Sequence, residues 1–156
     1  MPRCYTVNFE DVTVSAVQDL FSFDAATDKP IELVALEFAQ NTETGDAAEE
    51  QLRIKVTRGN TTVGSGGTAP TPQPTSPGDS AAGFTARVND TTQASAGTAV
   101  DLISTAFNVR VGYSWGPVPY GMGIWTSGTS LLVVKLMAAP ADALDLSGTA
   151  TIIEYP

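Results

Sequence analysis

The residues of this 156-residue chain that could do chemistry are few in kind. It has no histidine, which removes the commonest general base and transition-metal ligand. The single cysteine, Cys4, has no base to activate it, and one cysteine builds neither an internal disulfide nor a thiolate zinc cage. Carboxylates are plentiful, with 17 acids against 8 bases. Glu10-Asp11 and Glu49-Glu50 are adjacent pairs, but neighbours along a strand point to opposite faces. A hydrolytic pair needs a set separation across a cleft, so both pairs read as acidic surface. Asp24 with Asp28, and Asp79 with Ser80, offer the oxygens a hard cation takes, though at no known ligand spacing. GSGG at 64–67 is half of a phosphate loop, without the Lys-Ser/Thr or the helix that should follow, and reads as a turn. The expectation is a protein that is not an enzyme and holds no cofactor and no metal.

Binding chemistry is better represented. Tyr113, Trp115, Tyr120, Met122 and Trp125 fall within thirteen residues. The last three sit in GPVPYGMGIWTSG (116–128), a Gly/Pro loop where exposure is expected. Aromatics and Met are enriched at protein interfaces, and Trp115, Tyr120 and Trp125 could instead stack on sugar rings. The competing reading folds these side chains onto the protein's own core.

Two kinds of element must position these groups. One is a run from Gly59 to Gly83 in which 18 of 25 residues are Gly, Pro, Ser or Thr. A connection this long inside a compact domain is either a functional loop or a linker. It is read here as a packed arm, inserted at 59–83 in one domain spanning 1–156. Val63, Pro70, Pro72, Pro74 and Pro77 are its candidate partner contacts, beside Tyr120, Met122 and Trp125. Removing residues 62–80 is expected to leave a folded body and weaken assembly.

The other kind is the strand. RCYTVNFEDVTV (3–14) alternates with Tyr5, Val7 and Phe9 inward, and a bulge is expected at Glu10-Asp11. Further strands are expected at 19–24, 31–40, 52–58, 84–88, 98–103, 107–115, 130–137 and 147–155. In 31–40, Ile31, Leu33, Ala35 and Glu37 are assigned to one face and Val34, Leu36 and Phe38 to the other. Phe107, Val109, Val111, Tyr113 and Trp115 are expected to share a face of 107–115, and 130–137 to be buried on both faces. Residues 41–51 read as an acidic loop with one helical turn at Ala47–Glu50. Eight to ten strands without a sustained helix predict an all-β fold, a single-domain β-sandwich, with the eight-stranded jelly roll as the best single match.

A net charge of −9 and scattered bases exclude the basic footprint of a nucleic-acid binder. Arg53 and Lys55 share one strand face and read as solvated. No apolar run reaches membrane-spanning length, and the start of the chain lacks a secretory apolar segment. Synthesis in the cytoplasm, with no nucleic-acid and no membrane partner, is the expectation.

Three further stretches, GSGGTAPTPQP (64–74) with AAGFTARVN (81–89), AFNVRVGY (106–113), and KLMAAPADALDLSGT (135–149), together with RCYTVNFEDVTVSAVQDLF (3–21), carry a resemblance over nearly the whole chain. In these it resembles a group of small tailed-bacteriophage virion proteins that are similar to capsid decoration, or cement, proteins. The resemblance implies a structural protein on the capsid exterior. Its partners would be the major capsid protein and itself, as a homotrimer. No catalytic residues carry over. The rival reading is a carbohydrate-binding module or a tail- or fibre-associated adhesion protein of a phage particle.

Overall fold

The computed structural model describes residues 1–41 and 49–156. Period-two alternation sets the architecture. β1 (Arg3–Val14) buries Tyr5, Val7 and Phe9 and bulges between Phe9 and Val12, where Asp11 adopts φ 54°. Both features were expected from its alternation. The chain continues through β2 (Gln18–Asp24), β3 (Ile31–Gln40), β4 (Gln51–Asn60), β5 (Gln73–Pro74), β6 (Thr85–Asp90) and β7 (Val100–Asn108). It ends with β8 (Tyr113–Trp115), β9 (Ile124–Thr126), β10 (Leu131–Leu136) and β11 (Leu144–Glu154). No helix occurs among the described residues, and the helical turn expected at Ala47–Glu50 falls partly outside them.

The strands make two antiparallel sheets packed as a β-sandwich. The first has the order β5-β1-β11-β3-β8, with β9 also on β3; the second runs β6-β2-β10-β4-β7. One buried cluster joins them, drawing on Tyr5 to Val56 before the arm and Phe84 to Ile152 after it. Segments on either side of residues 59–83 therefore share a core. Phe38 ties the sheets together, meeting Phe107 of β7 edge-on at 5.0 Å and stacking on Tyr113 of β8 at 5.4 Å.

Two expected face assignments are corrected. In β3, Ala35 pairs with Thr151 but Leu33 pairs with Ile152, so Val34 is an extra residue. Such a bulge shifts the alternation by one. Ile31, Leu33, Leu36 and Phe38 all point inward, while Glu32, Ala35 and Glu37 point outward. The second correction concerns 107–115, which is not one strand. The Asn108 carbonyl accepts from Val111 N–H (3.0 Å) and Gly112 N–H (2.9 Å), and its side chain accepts from Arg110 N–H (2.9 Å). This turn, with Gly112 at φ 81°, carries the chain from the second sheet to the first and leaves Val111 80% exposed.

The arm's path follows from strand order. β4 and β7 are neighbours, whereas β6 lies at the far edge of the same sheet. The chain leaving β4 and the chain returning from β6 to β7 therefore cross the outside of β10 and β2. They do so side by side, through the antiparallel bridges Thr62 with Ser95, Ser65 with Thr92 and Thr68 with Val88. Ala94 of this layer packs on Leu131 and Val133, so β10 is buried on both faces, as its apolar run predicted. The GSGG motif serves this crossing. A Cβ on Gly67 would lie 2.1 Å from the Val88 oxygen, and one on Gly64 2.3 Å from the Thr92 oxygen. Only glycine permits so close a backbone approach. The arm then turns to the edge of β1. There Thr75 N–H donates to the Cys4 oxygen (2.9 Å), Tyr5 O–H donates to the Ser80 oxygen (3.0 Å), and Glu154 Oε2 accepts from Gly83 N–H (2.6 Å).

Candidate interaction site

β8 and β9 lie in line along one edge of β3, opposite Leu36–Phe38 and Ile31–Leu33. Between them, at the Val34 bulge, residues 116–123 leave the sheet as a loop. Val118 N–H donates to the Val34 oxygen (2.9 Å). A Cβ on Gly116 would sit 2.3 Å from that same oxygen, and Gly116 has φ 83°, so glycine is required at the exit.

The loop is fastened by a buried acid. Glu32 is fully buried on the outer side of β3. Its Oε1 accepts from Gly123 N–H (2.6 Å), and its Oε2 from Gly121 N–H (3.2 Å) and Tyr155 O–H (2.5 Å). Buried charges persist when hydrogen-bonded in this way. Burial first, and then the Glu32 carboxylate, push the Tyr155 hydroxyl up to about 12. The Tyr155 ring stacks on Trp125 at 4.4 Å, and Arg58 donates to the Trp125 oxygen (2.8 Å). On this base the loop apex holds Tyr120 at 63% and Met122 at 71% exposure. At the other end of β3, on the outer side of the first sheet, lies an open groove of about 480 Å³, lined by Glu37, Ala39, Val111, Tyr113, Ser147 and Thr149 among others.

The expected contact residues divide. Tyr120 and Met122 are exposed, while Trp125 is half-buried against Tyr155. Trp115 pairs opposite the inward-facing Leu36 and packs on the core, whereas Trp125 pairs opposite the outward-facing Glu32. Trp115, Tyr120 and Trp125 therefore do not form one platform. In the arm, Val63 and Pro77 are exposed, Pro70 and Pro74 half-buried and Pro72 buried. The arm's backbone bonds hold it to its own body.

Several carboxylates are engaged structurally. Glu50 accepts from Ala141 N–H (3.1 Å), and Asp79 lies 3.9 Å from Arg3. Asp19 and Asp90 do face each other across β2 and β6, but both are buried. Asp19 accepts from Ala94 N–H (2.6 Å), and Asp90 from Gly67 N–H (2.9 Å) and Arg87 (2.7 Å). They fasten the arm layer. Among the described residues no group of three or more Cys, Asp or Glu could hold a metal ion.

Glu32, Tyr155 and Arg58 are the site residues that sequence reasoning missed. A signal for Glu32 existed: an acid inside the apolar run IELVALEF must be buried with donors or turned outward. Compared with protein-family models, curated proteins and solved structures, the chain matches none.

Proposed function

We propose that this chain is a non-enzymatic capsid decoration protein that binds the outside of a tailed-phage head and reinforces the shell through its major capsid protein. One observation carries the reading: the two outer faces of the sandwich are treated differently. The second sheet is covered over β10 and β2 by the chain's own arm layer. The first presents a groove and a loop whose exposed Tyr120 and Met122 stand on a buried, hydrogen-bonded base. A rigid apolar tip on an otherwise acidic protein suits docking to another protein, where aromatic and Met side chains supply the anchors. Connectivity adds support. With β5 and β6 set aside and β8 and β9 counted as one strand, successive strands alternate between the sheets except at β4 and β7, which are neighbours in the second. That winding fits an eight-stranded jelly roll, an architecture recurrent in viral shells.

Co-sedimentation with bare phage heads tests the proposal. Wild type is expected to pellet in a saturable ratio, and Tyr120→Ser with Met122→Ser to lose most of that binding while remaining folded. Failure of the wild type to pellet overturns it.

The Trp125–Tyr155 stack beside Tyr120 favours a second reading, a glycan-binding module on a head or fibre. A glycan screen with Trp125→Ala as the paired variant separates the two, because only this reading expects a sugar ligand lost on that substitution.

A further inference from the structure

We propose that β7 is a self-association strand, through which two copies join their second sheets antiparallel about a twofold axis at Thr105. This inference stands independently of the shell-binding reading.

Sheet edges are templates for pairing, and proteins blunt them with short strands, prolines or cover. Three edges here are blunted. β5 has two residues, one of them Pro74. β6 exchanges two backbone bonds with the arm at Thr68 and Val88 (3.0 and 2.9 Å). β8 and β9 have three residues each and are parted by a loop holding Pro117 and Pro119. β7 is different: nine residues long, and no residue outside β4 pairs with it among the described residues. Ser104, Thr105 and Ala106 are exposed, as are Val100 and Leu102. Its one charge, Asp101, is already neutralised by Lys55 at 2.6 Å.

The hydrogen-bond phase of this edge is determined. Val109 N–H donates to the Glu50 oxygen (3.1 Å), so that pair is hydrogen-bonded. Alternation makes Phe107 with Leu52, and Thr105 with Ile54, hydrogen-bonded pairs as well. Ser104 and Ala106 belong to the intervening pairs, so their N–H and C=O groups point away from β4. A bulge at Leu102, between Ile103 opposite Val56 and Asp101 opposite Thr57, confines the regular edge to residues 103–108.

The occupant follows from the same inventory. A strand donated by this chain must itself come from an open edge, and β7 is the long open edge available. An interface of a strand with itself is isologous and closes at two copies. Antiparallel pairing about Thr105 sets Ser104 against the second copy's Ala106 and Ala106 against its Ser104, which satisfies the outward groups at both positions. Thr105 meets its own counterpart, a favourable cross-strand pair. Ile103 lies opposite the second copy's Phe107, and no two like charges face one another. The homotrimer implied by the sequence resemblance needs a different, heterologous contact.

Analytical ultracentrifugation of the full chain decides between them. Twice the 16.2 kDa chain mass is expected at micromolar concentration, and a species of one or three chain masses overturns the proposal. Ala106→Pro removes an outward N–H and leaves the β4 ladder intact. It is expected to weaken dimerisation at least tenfold with an unchanged circular-dichroism spectrum, and a folded Ala106→Pro protein that dimerises like wild type overturns the assignment. A second variant fixes the register. Non-hydrogen-bonded antiparallel pairs place Cα atoms about 4.5 Å apart, within disulfide reach. Thr105→Cys in a Cys4→Ser background is therefore expected to form a covalent dimer on mild oxidation. Failure to cross-link while a dimer persists overturns the Thr105 axis.

Discussion

Tyr155 and Glu32, 123 residues apart in the chain, meet in a 2.5 Å hydrogen bond on the outer side of the first sheet. That contact joins the end of β11 to the base of the exposed loop, and Gly121 and Gly123 complete the ring of donors around the acid. Replacing Glu32 by Ala leaves three donors without their acceptor. At ~1–3 kcal/mol for a buried group left unsatisfied, Glu32→Ala is expected to lower stability by several kcal/mol in urea denaturation. Glu32→Gln should cost less, because its amide oxygen still accepts.

The same contact has a signature in base. An ordinary tyrosine ionises near pH 10, and Tyr155 is held to about 12. Between these values the folded state keeps a proton that the unfolded state loses, so Tyr155's contribution to stability declines as pH rises from 10 to 12. Burial also raises Tyr5 and Tyr113, so ultraviolet titration should show a late-ionising group of tyrosines that loses one member in Tyr155→Phe.

Asp19 produces a slope in acid. Burial is the main cause that raises its carboxyl to about 6; facing Asp90 adds to the rise, and the Ala94 N–H and Lys135 oppose it. The folded protein then binds a proton more tightly than the unfolded chain, whose Asp titrates near 3.9. Stability from this group is full below pH 4 and is lost as pH rises through 6. At about 1.4 kcal/mol per pKa unit the effect is at most a few kcal/mol. Asp19→Asn is expected to flatten that part of the stability–pH curve and to be at least as stable as wild type at pH 7.

The arm is part of the body. Gly67→Ala puts a Cβ 2.1 Å from the Val88 oxygen, and a loss of ~2 kcal/mol or more is expected in a thermal melt, by strain of the backbone. Deleting residues 62–80 removes the bridge partners of the segment that lays Ala94 over Leu131 and Val133, and strips the β1 edge. An unstable or aggregating product is expected, rather than the folded body that composition alone suggests.

Tyr120→Ser and Met122→Ser, in contrast to Gly67→Ala, should leave stability nearly unchanged. Both side chains are exposed, so each change is expected to alter stability by no more than about 0.5 kcal/mol. A larger loss in the same melt would mark the loop tip as structural.

Much of this fold was legible because alternation is a local property. Tyr5, Val7 and Phe9, the bulge at Asp11, and the doubly buried β10 all follow from neighbours in sequence. The failures share one cause, a change of phase or of sheet set by distant partners. Val34 bulges because of what β11 and residues 116–118 do, and nothing within IELVALEF announces it. Asn108 turns the chain between sheets inside an apolar alternation that would serve equally well as a strand. The arm was visible from composition, but where it lies depends on β4 and β6 being far apart in their sheet. Glu32 was seen only as a strand residue, since its donors lie about ninety or more residues away.

The place of β11 between β1 and β3 bears on how the protein is made. During synthesis, β1 and β3 emerge early and wait for the strand that separates them. At roughly 5–20 residues per second, that wait is on the order of ten seconds, with both apolar inner faces lacking their main neighbour. The first sheet is thus a late product of translation, completed when β11 clears the ribosome. A chain cut short before Leu144 carries two unsatisfied strand edges into the cell instead of a partial domain.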